Sequence, residues 1–317
     1  MIDLDKRVYS DVFLSKIKKH LNNSEKNITY PKFIFLCGKA YNRDIDKDKK
    51  MYYSTNRGLI DKFLHSKSNN TFIVLSEELW EDGFNSKIDL LTFEEFLAEV
   101  SDCIILFVES PGTFSELGTF AYADRLFADK LIVVVDEKYE NDKSFIITGP
   151  VAKAKKDKAV VLYASVEDGA VMACRELRQV IEKKIIDYSS KTAIVNKRKP
   201  NVDGEGVSLS AFIIELLELI YILQPVNRKD LLDIYKIIKG FDSFKFIKKD
   251  GSAFHDEIKY DYVLKLLSSV NLITIKDGMI ESEHYNMHGD LFIKYGKKLR
   301  NKERNKLLNR KYRYKEI

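Results

Sequence analysis

The chain has 317 residues, 45% apolar, 12% aromatic and 32% charged, with a formal net charge of +5. So much apolar material excludes a disordered protein, and the length suggests two domains of ~150 residues each. No apolar run exceeds six residues (Cys103 to Val108), short of the ~18 that a membrane span needs. The N-terminus, MIDLDKRVYSD, has no apolar segment of the secretory-signal kind. Three cysteines (Cys37, Cys103, Cys174), none in a CxxC arrangement, exclude a disulfide framework or a zinc ribbon. The expectation is a soluble cytoplasmic protein.

Residues 5 to 21 place Val8, Val12, Phe13, Ile17 and Leu21 at helical spacing, which predicts an N-terminal amphipathic helix within 1–29. Five short apolar runs follow: Lys32–Cys37, Thr71–Leu75, Cys103–Val108, Leu131–Val135 and Ala159–Tyr163. They are β-branched or aromatic-rich and do not alternate, as strands buried on both faces read. Helical periodicity lies between them, notably at Phe93–Val100 and Phe114–Phe127. Alternating strand and helix predicts an α/β fold, a doubly wound, mainly parallel five-stranded sheet, over residues 30–190. The polar stretch 191–206 reads as a linker.

Residues 207–293 have a different pattern. Ala211–Leu223 is predicted helical, Asn227 caps a second helix ending at Gly240, and a third runs near Glu257–Val270. Leu272–Ile275 and Met279-Ile280, joined through Lys276-Asp277-Gly278, predict a hairpin. Three helices and a hairpin resemble a winged helix, a module that serves nucleic-acid or protein contacts alike. Residues 294–317 carry eleven Lys/Arg against two Glu, or +9, which leaves −4 on the first 293. This basic tail reads either as a solvated terminal helix or as a polyanion contact. In the second reading Lys297, Lys298, Arg300, Arg304, Arg310 and Arg313 meet nucleic acid or a partner, and Tyr295, Tyr312 and Tyr314 stack on bases.

The densest chemical signal is Glu109-Ser-Pro-Gly-Thr-Phe-Ser-Glu-Leu-Gly118, between the end of the third strand run and a helix. Ligands of open α/β sheets sit outside the carboxyl ends of strands, at the topological switch point. With strand order 2-1-3-4-5, the loops Cys37-Gly38-Lys39 and Glu109–Thr113 would face one crevice. Ser110, Gly112 and Thr113 suit a phosphate or a sugar hydroxyl there. Glu116 would reach the same crevice from the helix's first turn, and Glu94 could lean into it from the preceding helix. Two readings of Glu116 stand side by side: a catalytic carboxylate, or half of a Thr113-x-x-Glu116 capping box. Cys37-Gly38-Lys39 is not a Walker motif, since Ala40 follows the lysine. Cys37 reads either as a nucleophile at a strand end, although none of the five histidines has a recognisable pairing with it, or as a buried small residue. His284 and His288 lack the HExxH order, so no metal is expected.

Gly112-Thr113-x-x-Glu116-x-Gly118 resembles the catalytic segment of nucleoside 2-deoxyribosyltransferases, in which a glutamate after a Gly-Thr turn attacks the anomeric carbon. Closer still is the resemblance to the deoxyribosyltransferase-like effectors of bacterial retron defence systems. It rests on Phe35-Leu-Cys-Gly38, on Glu94-x-x-Leu97-Ala-Glu99-x-x-Asp102 and on Ile105-Leu-Phe-x-Glu109-Ser-Pro-Gly-x-Phe-x-Glu116-Leu-Gly118. The run Ser144 to Pro150 and the C-terminal module add to it. The chain departs from the transferases at Glu109, where aspartate is common, and in the polar insert Tyr41–Met51.

The resemblance implies an N-glycosidase that consumes NAD, as substrate rather than cofactor, or a related nucleotide or nucleoside. It implies control by the retron reverse transcriptase and its msDNA, a single-stranded DNA–RNA hybrid. Glu116 is then the catalytic residue; Glu94 and Glu109 are candidates for holding ribose hydroxyls, with Cys37, Gly38, Ser110, Gly112 and Thr113 around them. A non-catalytic nucleic-acid-binding adaptor is the alternative of another class. The residues do not decide whether copies assemble into a homo-oligomer or filament.

Overall fold

A computed structural model describes residues 14–15, 17–18, 31–39, 50–81, 88–122, 127–167, 169–187, 206–248 and 260–283. The basic tail, the segment 188–205, His284 and His288, and most of the Tyr41–Met51 insert lie outside these. The chain divides into two compact units, Pro31–Thr192 and a second made of Met1–Tyr30 with Ala193–Ile317.

The first unit is built on five parallel strands, β1 (Lys32–Cys37), β2 (Thr71–Val74), β3 (Cys103–Val108), β4 (Leu131–Asp136) and β5 (Val160–Ala164), in the order β2-β1-β3-β4-β5. The sheet is wholly parallel, in the expected order. Every residue of β3 and β4 is buried, which is why their sequences are unbroken apolar runs. Helices α1 (Asn56–Lys67), α2 (Ser76–Glu81), α3 (Leu90–Val100), α4 (Pro111–Tyr122), α5 (Ala152–Lys156) and α6 (Arg175–Ile181) fill the connections.

The pleat sorts alternate strand residues to the two faces. Ile34, Leu36, Ile105, Phe107, Ile132 and Val134 pack with Ile60 and Leu64 of α1 and Leu177 and Ile181 of α6. Phe35 turns the other way, onto Phe120 of α4, which in turn meets Phe127 edge-on. Helix starts are fixed by side-chain caps. Thr55 accepts from the Gly58 N–H at α1, and Asp89 accepts from the Thr92 N–H at α3.

Gly58 lies in the first turn of α1 because the turn Tyr52–Ser54 passes directly over it. A Cβ there would sit 2.0 Å from the Tyr52 carbonyl oxygen. Gly58→Ala is therefore expected to lower stability by about 3 kcal/mol, read as a fall in the thermal unfolding midpoint.

In the second unit, the described residues of the predicted N-terminal helix are helical, with Leu14 and Ile17 buried. Three helices follow: α7 (Leu209–Leu223), α8 (Arg228–Lys239) and α9 (Tyr260–Ser269). Strands β7 (Val226–Asn227), β9 (Ile273–Lys276) and β10 (Met279–Ser282) form an antiparallel sheet in the order β7-β10-β9. Strands β6 (Gly206–Ser208) and β8 (Lys245–Ile247) pair in parallel. Asn227 caps α8 by accepting from the Asp230 N–H, and Gly240 ends it at φ 77°. The β9–β10 turn carries Asp277 at φ 51° and Gly278 at φ 74°, the two positive angles of a type I′ hairpin. Glu215, buried in α7, accepts from Tyr235 Oη and Lys239 Nζ of α8, each at 2.9 Å. Among the described residues no helix is long and apolar enough to cross a membrane.

Candidate active site

The chain runs from β1 to β2 on one side and to β3 on the other, so the sheet's switch point lies between β1 and β3, which pair from Ile34↔Cys103 to Cys37↔Leu106. Backbone after both strands is gathered there by one carboxylate. Glu109 Oε1 accepts from the Lys39 N–H at 2.7 Å, and Oε2 accepts from Asn56 Nδ2 at 3.0 Å. The same Asn56 nitrogen donates to the Val166 carbonyl at 2.7 Å, which brings in the chain beyond β5. Glu109 thus ties the two strand ends to the start of α1, and both its oxygens are engaged.

The segment Glu109–Thr113 forms a closed turn. Thr113 Oγ1 accepts from the N–H groups of Glu109 and Ser110 and donates to the Ser110 carbonyl at 2.8 Å. Ser110 is the cap of α4: its Oγ accepts from the Thr113 N–H and its carbonyl from the Phe114 N–H. Pro111 occupies the first helical position, where its missing N–H costs nothing. Glu116 consequently stands in the second turn of α4 rather than the first, and the Thr113-x-x-Glu116 capping box is not formed. Thr113 is buried at 1% exposure, and the Ser110 and Thr113 N–H groups are engaged within the turn. Gly112 is exposed, and a Cβ on it would meet Ser110 Oγ at 3.9 Å.

Glu116 points instead toward Cys37 and Glu94. Cys37 and Glu94 are the neighbours that bear on its carboxylate, and Oε2 is buried without a partner among the described residues. Burial raises the Glu116 pKa, opposed by the positive charge of Arg57 and by the polar groups of Cys37 and Glu94. Glu94, 7% exposed, is pushed up to about 8, first by burial and then by the charge of Glu116 and the bond to it. Burial, with Glu116 and Glu94 nearby, also lifts the Cys37 thiol well above its ordinary value, so it stays protonated. Burial thus keeps the Cys37 thiol neutral and favours a proton on Glu94, while the upward shift of Glu116 is held back by Arg57.

Cys37, Gly38, Glu94, Glu109 and Glu116 gather at this one end of the sheet, with Ser110 and Thr113 shaping the turn beside them. Sequence reasoning missed Asn56, Arg57 and Glu77. Arg57, only 2% exposed, donates through Nη2 to Glu77 Oε1 at 2.6 Å and to the Lys39 carbonyl at 2.7 Å. Its stem passes Gly38 so closely that a Cβ there would lie 2.9 Å from Arg57 Cγ and from Glu109 Oε1. Gly58, in the first turn of a capped helix, marks close packing at that helix end but does not single out these residues. Among the described residues no cluster of His, Cys, Asp or Glu could hold a metal ion.

A family model described as the STM3845 retron effector protein matches residues 53–275. The chain is 32% identical over 254 residues to the Escherichia coli "Retron Ec86 putative ribosyltransferase/DNA-binding protein", covering 77% of this chain and 74% of that relative. It is 24% identical over 295 residues to the Escherichia coli "Retron Ec73 putative ribosyltransferase/DNA-binding protein", covering 90% and 85%. A match over residues 53–275, which include β2 to β5, Glu94, Glu116 and helices α7 to α9, places this chain in the STM3845 retron effector protein family.

Proposed function

We propose that the unit Pro31–Thr192 is an N-glycosidase that hydrolyses NAD, releasing nicotinamide, and that it is the toxic part of a retron antiphage defence system. The observation that carries this reading is Glu116: a carboxylate at the switch point whose Oε2 is buried without a partner among the described residues, with the Glu94 carboxyl beside it. A carboxylate so placed can trap an oxocarbenium-like sugar. Glu116 attacks the anomeric carbon as its bond to nitrogen breaks, and the bonding pair leaves with nicotinamide, neutralising the ring. Water then displaces Glu116 from that carbon and releases one proton, giving ADP-ribose. The ribosyltransferase part of the two relatives' names accords with this chemistry.

A second reading, base release from (deoxy)nucleosides or nucleotides, is favoured by the protonated state of Glu94. A neutral base leaves as an anion unless protonated; Glu94 would give its proton to the departing nitrogen and recover one from the attacking water. Incubating the purified protein in parallel with NAD and with nucleosides, and following nicotinamide and free bases, separates the two. Release of neither, with the retron partners present and triggered, would overturn both.

The second unit is proposed as a winged helix. Its order α7-β7-α8-β8-α9-β9-β10, with β10 between β7 and β9, supports that reading. The proposed partners are the retron reverse transcriptase and msDNA, met through this unit and the basic residues from Lys294 onward. Binding of single-stranded nucleic acid is expected to weaken steeply with salt. Truncation before Lys294 should abolish that binding while base release persists; loss of all activity would favour a non-catalytic adaptor.

A further inference from the structure

An exposed residue is held firmly at the switch point. Lys39, just past the end of β1, gives its N–H to Glu109 Oε1 at 2.7 Å, and its carbonyl accepts from Arg57 Nη2 at 2.7 Å. The acceptor follows β3 and the donor stands in the first turn of α1, so the ends of two further elements fix the backbone of one lysine. Arg57 is itself held by Glu77 Oε1 at 2.6 Å, and Glu109 by Asn56 Nδ2 at 3.0 Å. Gly38 lets the grip close: a Cβ there would lie 2.9 Å from Arg57 Cγ and from Glu109 Oε1, inside the ~3.5 Å of ordinary contact.

A solvated surface lysine gains little from having both backbone polar groups held by charged side chains, since water would satisfy them nearly as well. A lysine that meets a ligand does gain, because a loop ordered beforehand need not be ordered on binding. The surrounding charge says what that ligand is. Acidic side chains predominate at this end of the sheet: Glu77, Glu94, Glu109 and Glu116, against Arg57, which is buried and paired with Glu77. In the two strand-end loops, 37–39 and 109–113, Lys39 is the single cation. A phosphate-bearing substrate would be repelled here unless a cation met it, and a lysine ammonium receives phosphate as a point charge.

We propose that Lys39 is the phosphate-binding residue of this site, presented by the grip of Glu109 and Arg57, and that it makes the site select substrates with a phosphate on the sugar that is cleaved. The proposal rests on the reading of this unit as a glycosidase. It deepens that reading by separating nucleotides from nucleosides, and it gives Glu109 a loop to hold rather than a ribose hydroxyl.

NAD, nicotinamide mononucleotide and nicotinamide riboside share leaving group and sugar and differ in phosphate. With the unmodified protein, its retron partners present and triggered, the two phosphate-bearing compounds should show a KM about 10- to 100-fold below that of the riboside, the usual effect of one charge-assisted hydrogen bond. Lys39→Ala should raise those two KM values by the same factor, with kcat and the riboside unaffected. Lys39→Arg, which keeps the charge, should retain most of the preference. An equal loss on all three substrates, or an unchanged KM for NAD, overturns the proposal. Calorimetry of NAD binding to Glu116→Gln, with and without Lys39→Ala, reads the same contact without turnover. Weaker binding with Lys39→Ala, in a protein that releases no base from any of the three, supports the phosphate contact and overturns the glycosidase reading instead. Equal binding overturns the contact.

Discussion

Glu116→Gln is expected to reduce base release by ~10³-fold or more while the protein unfolds at the same temperature or a few degrees higher. The amide keeps the shape of the side chain beside Cys37 and Glu94. It cannot form a bond to the anomeric carbon or stabilise a positive charge on the sugar. Stability should not fall, because the carboxylate is held against its own desolvation, with Oε2 buried and without a partner among the described residues. Removing a buried charge that the fold tolerates for function commonly stabilises. A helix-capping glutamate would behave in the opposite way, with activity kept and ~0.5–2 kcal/mol of stability lost. Enzyme assay and thermal melt on one preparation therefore discriminate the two roles. A variant that is active but less stable would remove Glu116 from the chemistry.

The strands were legible because burial on both faces leaves no polar residue to interrupt them. Cys103–Val108 shows this, every position being buried. The last strand lies one residue later than expected, at Val160–Ala164, because Ala159 is still tied back to α5 by the turn that follows that helix. The Ala159 N–H bonds to the Ala154 carbonyl after Lys158 turns through φ 75°. The start of α4 moved from Phe114 to Pro111 for a related reason. Apolar periodicity sees where a helix packs, whereas Ser110 and Pro111 decide where it begins. Glu94 and Glu116 could be found from the sequence, since both follow from strand-end chemistry and a resemblance. Arg57 could not, because its partners Lys39 and Glu77 lie 18 and 20 residues away and meet it only when β1, α1 and α2 converge.

The second large effect concerns Glu94. The unfolded chain loses this proton near the ordinary value of 4.5, whereas the folded protein keeps it to about 8. Between those limits the folded state binds more protons than the unfolded one, so stability is greatest below about pH 4.5 from this group and declines as pH rises to about 8. The span corresponds to a few kcal/mol, on the order of 1.4 per pH unit. Glu94→Gln removes the titration. Its unfolding midpoint should vary less between pH 5 and 8 and exceed that of the unmodified protein at pH 8. Equal slopes in the two proteins would mean that Glu94 is ionised in the fold at neutral pH. The same variant weighs the two substrate readings. A nicotinamide leaving group takes no proton, so release from NAD should fall less than about tenfold. A neutral nucleobase needs the proton that Glu94 carries, and its release should fall by ~10²–10⁴. A loss of that size on both substrates would show Glu94 acting on the sugar or on Glu116 itself rather than on the departing base.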